Sequence, residues 1–299
     1  MKILSVNAGS SSLKFQMFEM PEEKVIISGV FERIGIENSF YTIKINGEKI
    51  EKKRDLPNHE VAVSVLIDEL LSNNVIKSLD EIKGVGHRIV HGGDKYSSSV
   101  ILNEEVLDEV SKLNDLAPLH NPANIMGVRA FMEKIPSATQ VGCFDTAFHQ
   151  TIKEDRFIYA VPYEWYQKYG VRKYGFHGMS HRYVSERVSE LLDKEFCNVI
   201  VCHLGQGGSI SAVRDGRCID TTMGFTPNSG IVMGSRSGDI DYGIISYISK
   251  KTGKSIDEID HDLNKNSGML GISGVSSDFR DITKAMEEGN EVAKSAFEA

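Results

Sequence analysis

Apolar and polar residues alternate on both sides of a turn near the start of the chain, between Ile3 and Phe18. Alternation with a period of two around a turn of Gly and Ser predicts a β-hairpin. The turn itself, Asn7 to Ser12, is built entirely of small or polar residues, whereas a tight turn needs only Gly or Asn. Backbone N–H and hydroxyl groups packed this densely form an anion-binding site, and Lys14 adds a positive charge nearby. A polar hairpin tip on an edge strand is the alternative.

The rest of the pattern alternates strands with amphipathic helices, which indicates an α/β fold. The expected strands lie at 25–30, 41–45, 48–50, 84–90, 138–144, 198–204, 210–213 and 218–219. The expected helices lie at 61–71, from 103, from 121 to Pro136, at 180–192, from 239 to near 253, from 255 and from 291. Asn103, Asn121, Asp239 and Ser255 are the expected helix caps, because short polar side chains accept hydrogen bonds from a helix's first N–H groups.

The pattern of the opening hairpin returns in the second half of the chain, at Val199–Val213. An apolar strand meets the Gly-rich loop Gly205–Ser209, and an alternating strand leaves it. The loop is neither a P-loop nor a dinucleotide fingerprint, because no GK[ST] follows and the next element is a strand. Two such hairpins predict a duplicated domain whose phosphate loops face each other across a cleft, as in the sugar kinase, Hsp70 and actin architecture.

Length and composition narrow the choice of partners and location. The chain has 299 residues, enough for two domains of roughly 150 residues each, and we expect them at 1–148 and 149–299. The net charge of −8 argues against a nucleic-acid partner. No segment approaches the ~18 apolar residues of a membrane span. The apolar run at the N-terminus is too short for a signal peptide. We therefore expect a cytoplasmic protein with no membrane partner. Its four cysteines contain no CxxC pair and are expected to be buried, reduced thiols.

Two arginines, one in each half, are candidates for binding a phosphoryl group. Arg88 and Arg236 each lie among glycines or other small residues, and a planar guanidinium binds phosphate and carboxylate oxygens at two points. Asp145 follows an apolar strand, where a carboxylate suits Mg²⁺ or the orientation of a nucleophile, with a helix cap as the alternative. His177 and His181 are four residues apart without the Glu of a zinc motif, so we expect His177 to be a hydrogen-bond donor.

Several motifs together resemble the acetokinase family of short-chain carboxylate kinases. They are VNAGSSSLK at 6–14, GHRIVHGG at 86–93, APLHNP at 117–122, FDTAFH at 144–149, YGFHGMSH at 174–181, HLGQGGS at 203–209, and DTTMGFTP and MGSRSGDID within 220–241. The resemblance implies a homodimeric α/β enzyme with a duplicated, two-domain ribonuclease H-like architecture, mixed sheets and a central cleft. It also implies reversible transfer of the γ-phosphoryl group of ATP to acetate, giving acetyl phosphate and ADP, with Mg²⁺ or Mn²⁺.

The resemblance also implies a role for each residue that matches the family's motifs. The catalytic residues are Asp145, Arg88, Arg236 and His177, and the acetate pocket comprises Arg88, Val90, Leu119, His120, Phe176 and Pro227. The ATP and phosphate contacts are Ser10, Ser12, Lys14, His203, Leu204, Gly205, Gln206, Gly207 and Gly208, and the metal contact is Asn7. Direct transfer between two anionic oxygens needs positioning and cations rather than a strong general base, which agrees with these assignments.

Alternatives remain for the substrate and for activity itself. One extra methylene in an apolar pocket changes binding by only about 1–3 kcal/mol, so propionate is an alternative acceptor. Gln206 stands where the family usually has Asn, which suggests pyrophosphate as an alternative donor. The last residues, from Glu291, look like a helix in progress without a cap, so we expect a C-terminal part to be missing. If nothing follows residue 299, we expect weak activity or an inactive nucleotide-binding fragment that lacks the adenosine pocket.

Overall fold

In the computed structural model, which describes residues 1–118 and 120–298, the chain divides into two compact units, Met1–Ala147 and Phe148–Ala299. The strands are β1 (Lys2–Ala8), β2 (Ser12–Glu19), β3 (Lys24–Glu32), β4 (Phe40–Ile45), β5 (Glu48–Lys53), β6 (Ile82–Ile89), β7 (Val100–Ile101), β8 (Thr139–Phe144), β9 (Val199–Leu204), β10 (Gly208–Arg214) and β11 (Arg217–Thr221). The helices are α1 (His59–Ser72), α2 (Glu104–Ser111), α3 (Asn121–Lys134), α4 (Glu154–Phe157), α5 (Tyr163–Tyr169), α6 (Gly178–Leu191), α7 (Gly243–Thr252), α8 (Ile256–Lys265), α9 (Gly268–Ser273), α10 (Phe279–Glu287) and α11 (Glu291–Glu298).

The first unit is built on a mixed sheet with the strand order β5-β4-β3-β2-β1-β6-β8-β7. Strands β1 to β5 form an antiparallel meander, whereas β6 runs parallel to both β1 and β8. The carboxyl ends of β1, β6 and β8 therefore meet at one edge of the sheet, which is where α/β folds place their ligands. The α/β fold and its mixed sheet, predicted from the sequence, are confirmed.

Alternate residues of the first hairpin face opposite sides of this sheet. Leu4, Leu13 and Met17 are fully buried in the main core of the unit, and α3 packs on β1, β6 and β8. The helix approaches the end of β1 so closely at Gly127 that a Cβ there would lie 2.7 Å from the Cβ of Ala8. This contact fixes the end of β1, and with it the turn that follows, against the helix.

The second unit repeats the opening theme of the first. Strands β9, β10 and β11 form an antiparallel meander, as β1, β2 and β3 do in the first unit. Helix α6 packs on β9, and α10 and α11 share a small core with α9. No helix within residues 1–118 and 120–298 is both long and apolar enough to span a bilayer.

Two of the predicted helix caps are wrong. Asn121 is the first residue of α3 rather than its cap, which is His120, because the Asn121 side chain is bonded to the backbone of His91 instead. Asp239 caps no helix, since α7 begins only at Gly243, and its carboxylate accepts the N–H of Gly230. The caps Asn103 and Ser255 are confirmed, the latter with a complete capping box.

Two cysteines also differ from the prediction, since Cys143 is only partly buried and Cys202 is exposed. All four are free thiols, and Cys197 and Cys218 are buried. The reason for the exposure of Cys202 is its place in β9, an edge strand of the small sheet, where alternate residues point away from the core.

Candidate active site

Three predicted site residues of the first unit lie at the shared edge of three parallel strands. Asn7 is near the end of β1, Arg88 is near the end of β6, and Asp145 follows β8 directly. The N–H of Asp145 donates to the carbonyl of Ile89 at 3.0 Å, so the two strand ends are tied together. Three segments far apart in the sequence are thus brought to one edge of the sheet.

Arg88 and Asp145 form a buried two-point ion pair. Arg88 Nη2 lies 2.6 Å from Asp145 Oδ2, and Arg88 Nε lies 3.0 Å from Oδ1. The Asp145 side chain is 2% exposed and that of Arg88 is 32% exposed, so only the arginine reaches solvent. Burial by itself disfavours the charge of Arg88, but the Asp145 carboxylate outweighs it and raises the pKa of Arg88 above its ordinary value. The pair therefore holds a permanently charged guanidinium at the sheet edge.

The turn between β1 and β2 is held by its carbonyl groups. The carbonyl of Ala8 accepts from Asn124 Nδ2 at 2.6 Å, that of Gly9 accepts from His59 Nε2 at 2.7 Å, and that of Ser11 accepts from the N–H of Ile34 at 2.9 Å. His59 and Asn124 are both buried. Because a carbonyl only accepts, His59 must carry its hydrogen on Nε2. Sequence reasoning missed both residues, since their partners are distant along the chain.

The remaining first-loop residues lie on the outer side of the hairpin. Asn7 and Lys14 are directly opposite each other on β1 and β2, and both line a pocket of about 430 Å³ on the polar face of the sheet. Ser10 is exposed and Ser12 is half-buried. The hairpin therefore presents an amide, an ammonium and hydroxyl groups outward while its carbonyls are engaged inside.

Two asparagines of α3 position the segment that follows Arg88. Asn121 accepts from the N–H of His91 and donates to its carbonyl, both at 3.0 Å, and Asn124 Oδ1 accepts from the N–H of Val90 at 3.0 Å. Val90 is buried, and His120, just before the helix, is half-buried. Buried amides three residues apart on one helix are a pattern that could have drawn attention to this pair. Leu119 lies outside the described residues.

In the second unit, Arg236 and His177 approach the same glycine. A Cβ placed on Gly207 would lie 3.3 Å from Arg236 Nη1 and 3.6 Å from His177 Nε2. Nη1 of Arg236 also donates to the carbonyl of Pro227 at 2.8 Å, which fixes the guanidinium. His177 has a positive φ of 58° immediately before α6, an unusual conformation for a non-glycine residue. The sequence-predicted residues His177, Gly207, Pro227 and Arg236 are therefore neighbours.

The loop that carries Arg236 packs against a glycine that sequence analysis did not single out. Gly268 has a φ of 61°, and a Cβ there would lie 2.2 Å from the carbonyl oxygen of Met233 and 2.6 Å from that of Arg236. The N–H of Met269 donates to the carbonyl of Met233 at 2.8 Å. Only a glycine fits at this close approach, so α9 helps to set the position of Arg236.

Four histidines, His149, His177, His181 and His203, lie close together in the second unit. The rings of His177 and His203 stack at 4.0 Å, and His177 Nδ1 and His181 Nε2 lie 2.8 and 2.7 Å from the hydroxyl of Ser209. Burial lowers the pKa of His181 to about 3, helped by repulsion from the charges that His149, His177 and His203 would carry if protonated. His181 is fully buried and is neutral at pH 7.

The other predicted residues of the second unit surround the same loop. Phe176 is buried, and its carbonyl accepts from His149 Nε2 at 2.9 Å. Leu204, Gly205 and Gln206 are exposed, and Gly208 is buried. The carbonyl of Gln206 accepts from the N–H of Gly234 at 3.1 Å, which ties the Gly-rich loop to the Arg236 loop. Over the described ranges, no group of three or more His, Cys, Asp or Glu side chains is placed to hold a metal.

Each unit by itself thus combines an arginine with a hairpin loop of small residues. Such groups bind the oxygens of a phosphoryl group or a carboxylate, and charge stabilisation with positioning is what phosphoryl transfer needs. The chemistry that fits these groups is the transfer of a phosphoryl group from one oxygen to another.

Known proteins resemble the chain over almost its whole length. A sequence model of the acetokinase family matches residues 2–299. An acetate kinase from Geobacillus sp. (strain WCH70) is 56% identical over 299 residues, 99% of this chain and 75% of that protein. The crystal structure of Porphyromonas gingivalis acetate kinase has 45% identity and a TM-score of 0.92, covering 99% of this chain and 75% of its own. That of a propionate kinase from Francisella tularensis has 44% identity and a TM-score of 0.95, covering 99% and 76%.

Proposed function

Because the chain belongs to the acetokinase family, we propose that it transfers the γ-phosphoryl group of ATP reversibly to the carboxylate of acetate, giving acetyl phosphate and ADP. One structural observation carries the assignment of the site. Arg236 and His177, which the family motifs associate with the transferring group, approach the same point of the Gly-rich loop, at Gly207. A cation and a hydrogen-bond donor aimed at one place suit the oxygens of a phosphoryl group in transit.

The reaction needs no proton transfer. An oxygen of the acetate carboxylate attacks the γ-phosphorus, and the bond from that phosphorus to the oxygen of ADP breaks. Arg236, whose guanidinium is oriented by the Pro227 carbonyl, and His177 bind the oxygens on which charge is concentrated during transfer. Arg88 binds the acetate carboxylate, and Asp145 orients Arg88 through the two-point ion pair. The residues that the family motifs assign to acetate are Val90, Leu119, His120, Phe176 and Pro227.

In this proposal, the two hairpin loops bind the phosphates of ATP. Ser10, Ser12 and Lys14 supply hydroxyl and ammonium donors from the first loop, and the second loop supplies His203, Leu204, Gly205, Gln206, Gly207 and Gly208. Two observations support this proposal. The carbonyls of Ala8, Gly9 and Ser11 are engaged inside the first unit, and the tip of the second loop, from Leu204 to Gln206, is exposed.

The oxygen donors of Asn7, in β1, and Asp145, just after β8, are of the kind that Mg²⁺ binds. Mg²⁺ prefers oxygen ligands and is usually held by one or two carboxylates together with substrate phosphates and water. Asp145 and Asn7 supply such oxygens, and a carboxylate retains lone pairs beyond those used by Arg88. When bound, the ion would neutralise charge on the phosphates. Mn²⁺ accepts the same kinds of ligand. Asn7 and Asp145 are the residues that would hold the metal.

Propionate is the second candidate acceptor. The propionate kinase from Francisella tularensis is as similar in structure to this chain as the acetate kinase is. We propose acetate because the acetate kinase from Geobacillus sp. reaches 56% identity. Measuring kcat/KM for acetate, propionate and butyrate tests this choice, and a value for propionate above that for acetate would reverse it.

The phosphoryl donor is tested in the same way. With saturating acetate, we expect ATP to support turnover and pyrophosphate not to, despite Gln206. Turnover with pyrophosphate alone would contradict the proposal. Nucleotide binding without any acetate-dependent turnover would instead favour the inactive nucleotide-binding module. These assays use the protein at the full length that its gene encodes, because the relatives extend beyond the part that matches this chain.

Assembly and location complete the proposal. We propose a homodimer in the cytoplasm, with small molecules and no nucleic acid as ligands, in keeping with the net charge of −8. Light scattering during gel filtration measures the assembly directly. A monomer at micromolar concentration would contradict the dimer.

A further inference from the structure

The hydroxyl of Ser209 lies between two histidines. Its oxygen is 2.8 Å from Nδ1 of His177 and 2.7 Å from Nε2 of His181. Ser209 is fully buried in β10, and His181 is fully buried in α6. A hydroxyl has one hydrogen and two lone pairs. The two rings are the hydrogen-bond partners of this hydroxyl among the described residues, so its hydrogen is satisfied only if it donates to one ring and accepts from the other. The two possible directions place the hydrogen of His177 on different nitrogens.

The burial of His181 selects one direction. Nδ1 of His181 is buried and has no hydrogen-bond partner among the residues described. A buried N–H without a partner is rarer in proteins than a buried acceptor without one, and leaving it unpaired costs free energy. His181 therefore carries its hydrogen on Nε2 and donates it to Ser209. Its low pKa, about 3, keeps it from gaining a second hydrogen near pH 7.

The same direction continues to His177. Because Ser209 accepts from His181, its own hydrogen is donated to Nδ1 of His177. Nδ1 of His177 is then an acceptor, and the ring hydrogen lies on Nε2. This nitrogen is on the side of the ring that faces Gly207, where Arg236 Nη1 also approaches.

We propose that Ser209 is a positioning residue that sets the tautomer of His177, so that Nε2–H of His177 points as a donor to the site of the transferring phosphoryl group. This inference rests on the proposed function for the identity of the group that His177 binds. The hydrogen-bond chain from His181 through Ser209 to His177 stands on the geometry alone. A donor held in one orientation needs no reorganisation as charge develops, which is how such groups lower a barrier.

Other groups surround His177 without replacing this control. His203 stacks on its ring and is bonded through Nδ1 to Ser180, and His149 lies near the His181 ring at 5.7 Å between centroids. Arg236 is the cation that approaches the Gly207 side. The Ser209 hydroxyl joins the rings of His177 and His181.

The first test reads the tautomer directly. Long-range ¹H–¹⁵N correlation spectra of the protein with ¹⁵N-labelled histidine, at pH 7.5 and without substrates, distinguish the two neutral forms of each ring. Assignment of the His177 signals uses the His177→Gln variant. We expect hydrogen on Nε2 in both His177 and His181. Hydrogen on Nδ1 of His177 would overturn the proposal whether or not the protein is an acetate kinase.

The second test uses a matched pair of serines on β10. Ser211 is also fully buried, but its hydroxyl is bonded to Thr221 at 2.8 Å rather than to a histidine. Ser209→Ala should yield a mixture of His177 tautomers and lower kcat about 10-fold to 100-fold, the scale of one lost hydrogen bond to a reacting group. KM for acetate should change less than threefold.

The control variant Ser211→Ala should leave both the His177 spectrum and kcat unchanged within twofold. If Ser209→Ala folds poorly, Ser209→Thr is measured in its place. Because threonine retains the hydroxyl, His177 should keep its hydrogen on Nε2 in this variant. Unchanged kcat and an unchanged tautomer in Ser209→Ala would contradict the role of Ser209 while leaving the kinase activity intact. If the wild-type protein shows the expected tautomer but no acetate kinase activity, only the proposed function is contradicted.

Discussion

Arg88 and Asp145 lie at the ends of two neighbouring parallel strands and bind each other through two nitrogens and two oxygens, with the shortest distance at 2.6 Å. The sequence suggested different tasks for these residues, binding a phosphoryl or carboxylate group for Arg88 and holding Mg²⁺ or orienting a nucleophile for Asp145. The structure couples them, because the orientation of the guanidinium depends on the carboxylate behind it. Replacing either residue should therefore affect both stability and substrate binding.

Arg88→Ala should lower the free energy of unfolding by about 3–5 kcal/mol, because it leaves the carboxylate of Asp145 buried and unpaired. Arg129→Ala is the control, since its ion pair with Glu104 is exposed and such pairs contribute about 0–1 kcal/mol. Urea unfolding followed by circular dichroism measures both. A loss for Arg88→Ala no larger than that for Arg129→Ala would show that the pair is not structurally important.

Arg236→Ala should lower kcat about 10²-fold to 10³-fold, the scale of removing one donor that acts in the transition state. Arg236→Lys should recover only part of the rate, because lysine keeps the charge but loses the planar two-point geometry. The control Arg217→Ala removes an exposed arginine of the same unit and should leave kcat unchanged. Steady-state kinetics at saturating ATP and acetate measures these values. An unchanged rate in Arg236→Ala would remove this residue from the mechanism.

His59→Ala should raise KM for ATP about fivefold to tenfold, because the Gly9 carbonyl loses a buried donor worth about 1 kcal/mol. His59→Gln can place an N–H near the position of Nε2 and should restore most of the affinity. The expected change in KM for acetate is smaller, since His59 contacts the first phosphate loop rather than the acetate pocket. Equal increases in both KM values, or no rescue by Gln, would mean that His59 supports the unit in general and not the loop.

The buried histidines of the first unit should make stability depend on pH. His87 and His91 are almost fully buried, and burial lowers the pKa of each from 6.5 to about 4. The unfolded state therefore binds more protons between these values, and unfolding free energy falls as pH drops from 6.5 towards 4. Each histidine contributes up to about 3 kcal/mol to this loss.

Urea titrations at pH 7 and pH 4.5 measure this dependence. His87→Gln should reduce the slope by about one histidine's contribution, because the remaining Gln has no titrating group. The control His261→Gln, at an exposed position, should keep the wild-type slope. Equal stability of wild type at the two pH values would contradict the neutral, buried state of both histidines.

Local features of the fold were predictable because they depend on neighbours in sequence. The Asn46-Gly47 turn has two positive φ angles, as a two-residue hairpin requires. Ser255, an expected helix cap, forms a capping box with Glu258. Asp239 failed as a cap because its carboxylate found a more distant backbone partner, Gly230. The pattern of neighbouring residues cannot show which of several hydrogen-bond partners a side chain will take.

The candidate site was predictable as a set of residues but not as an arrangement. Glycine- and arginine-containing motifs identified Arg88 and Arg236, whereas their partners required the register of strands and loops. Asp145 is 57 residues from Arg88, and Ser209 is 32 residues from His177. His59 and Asn124 carry no motif signal, because their function is to satisfy backbone groups of a loop 50 and 116 residues away.

The central claim is direct transfer of a phosphoryl group from ATP to acetate. It is tested most directly by ³¹P NMR of the full-length protein with ATP, Mg²⁺ and acetate. We predict that acetyl phosphate and ADP appear in equal amounts, only when acetate is present, and that acetyl phosphate with ADP regenerates ATP. Formation of ADP and inorganic phosphate at the same rate without acetate, formation of AMP, or no conversion at all would contradict the account.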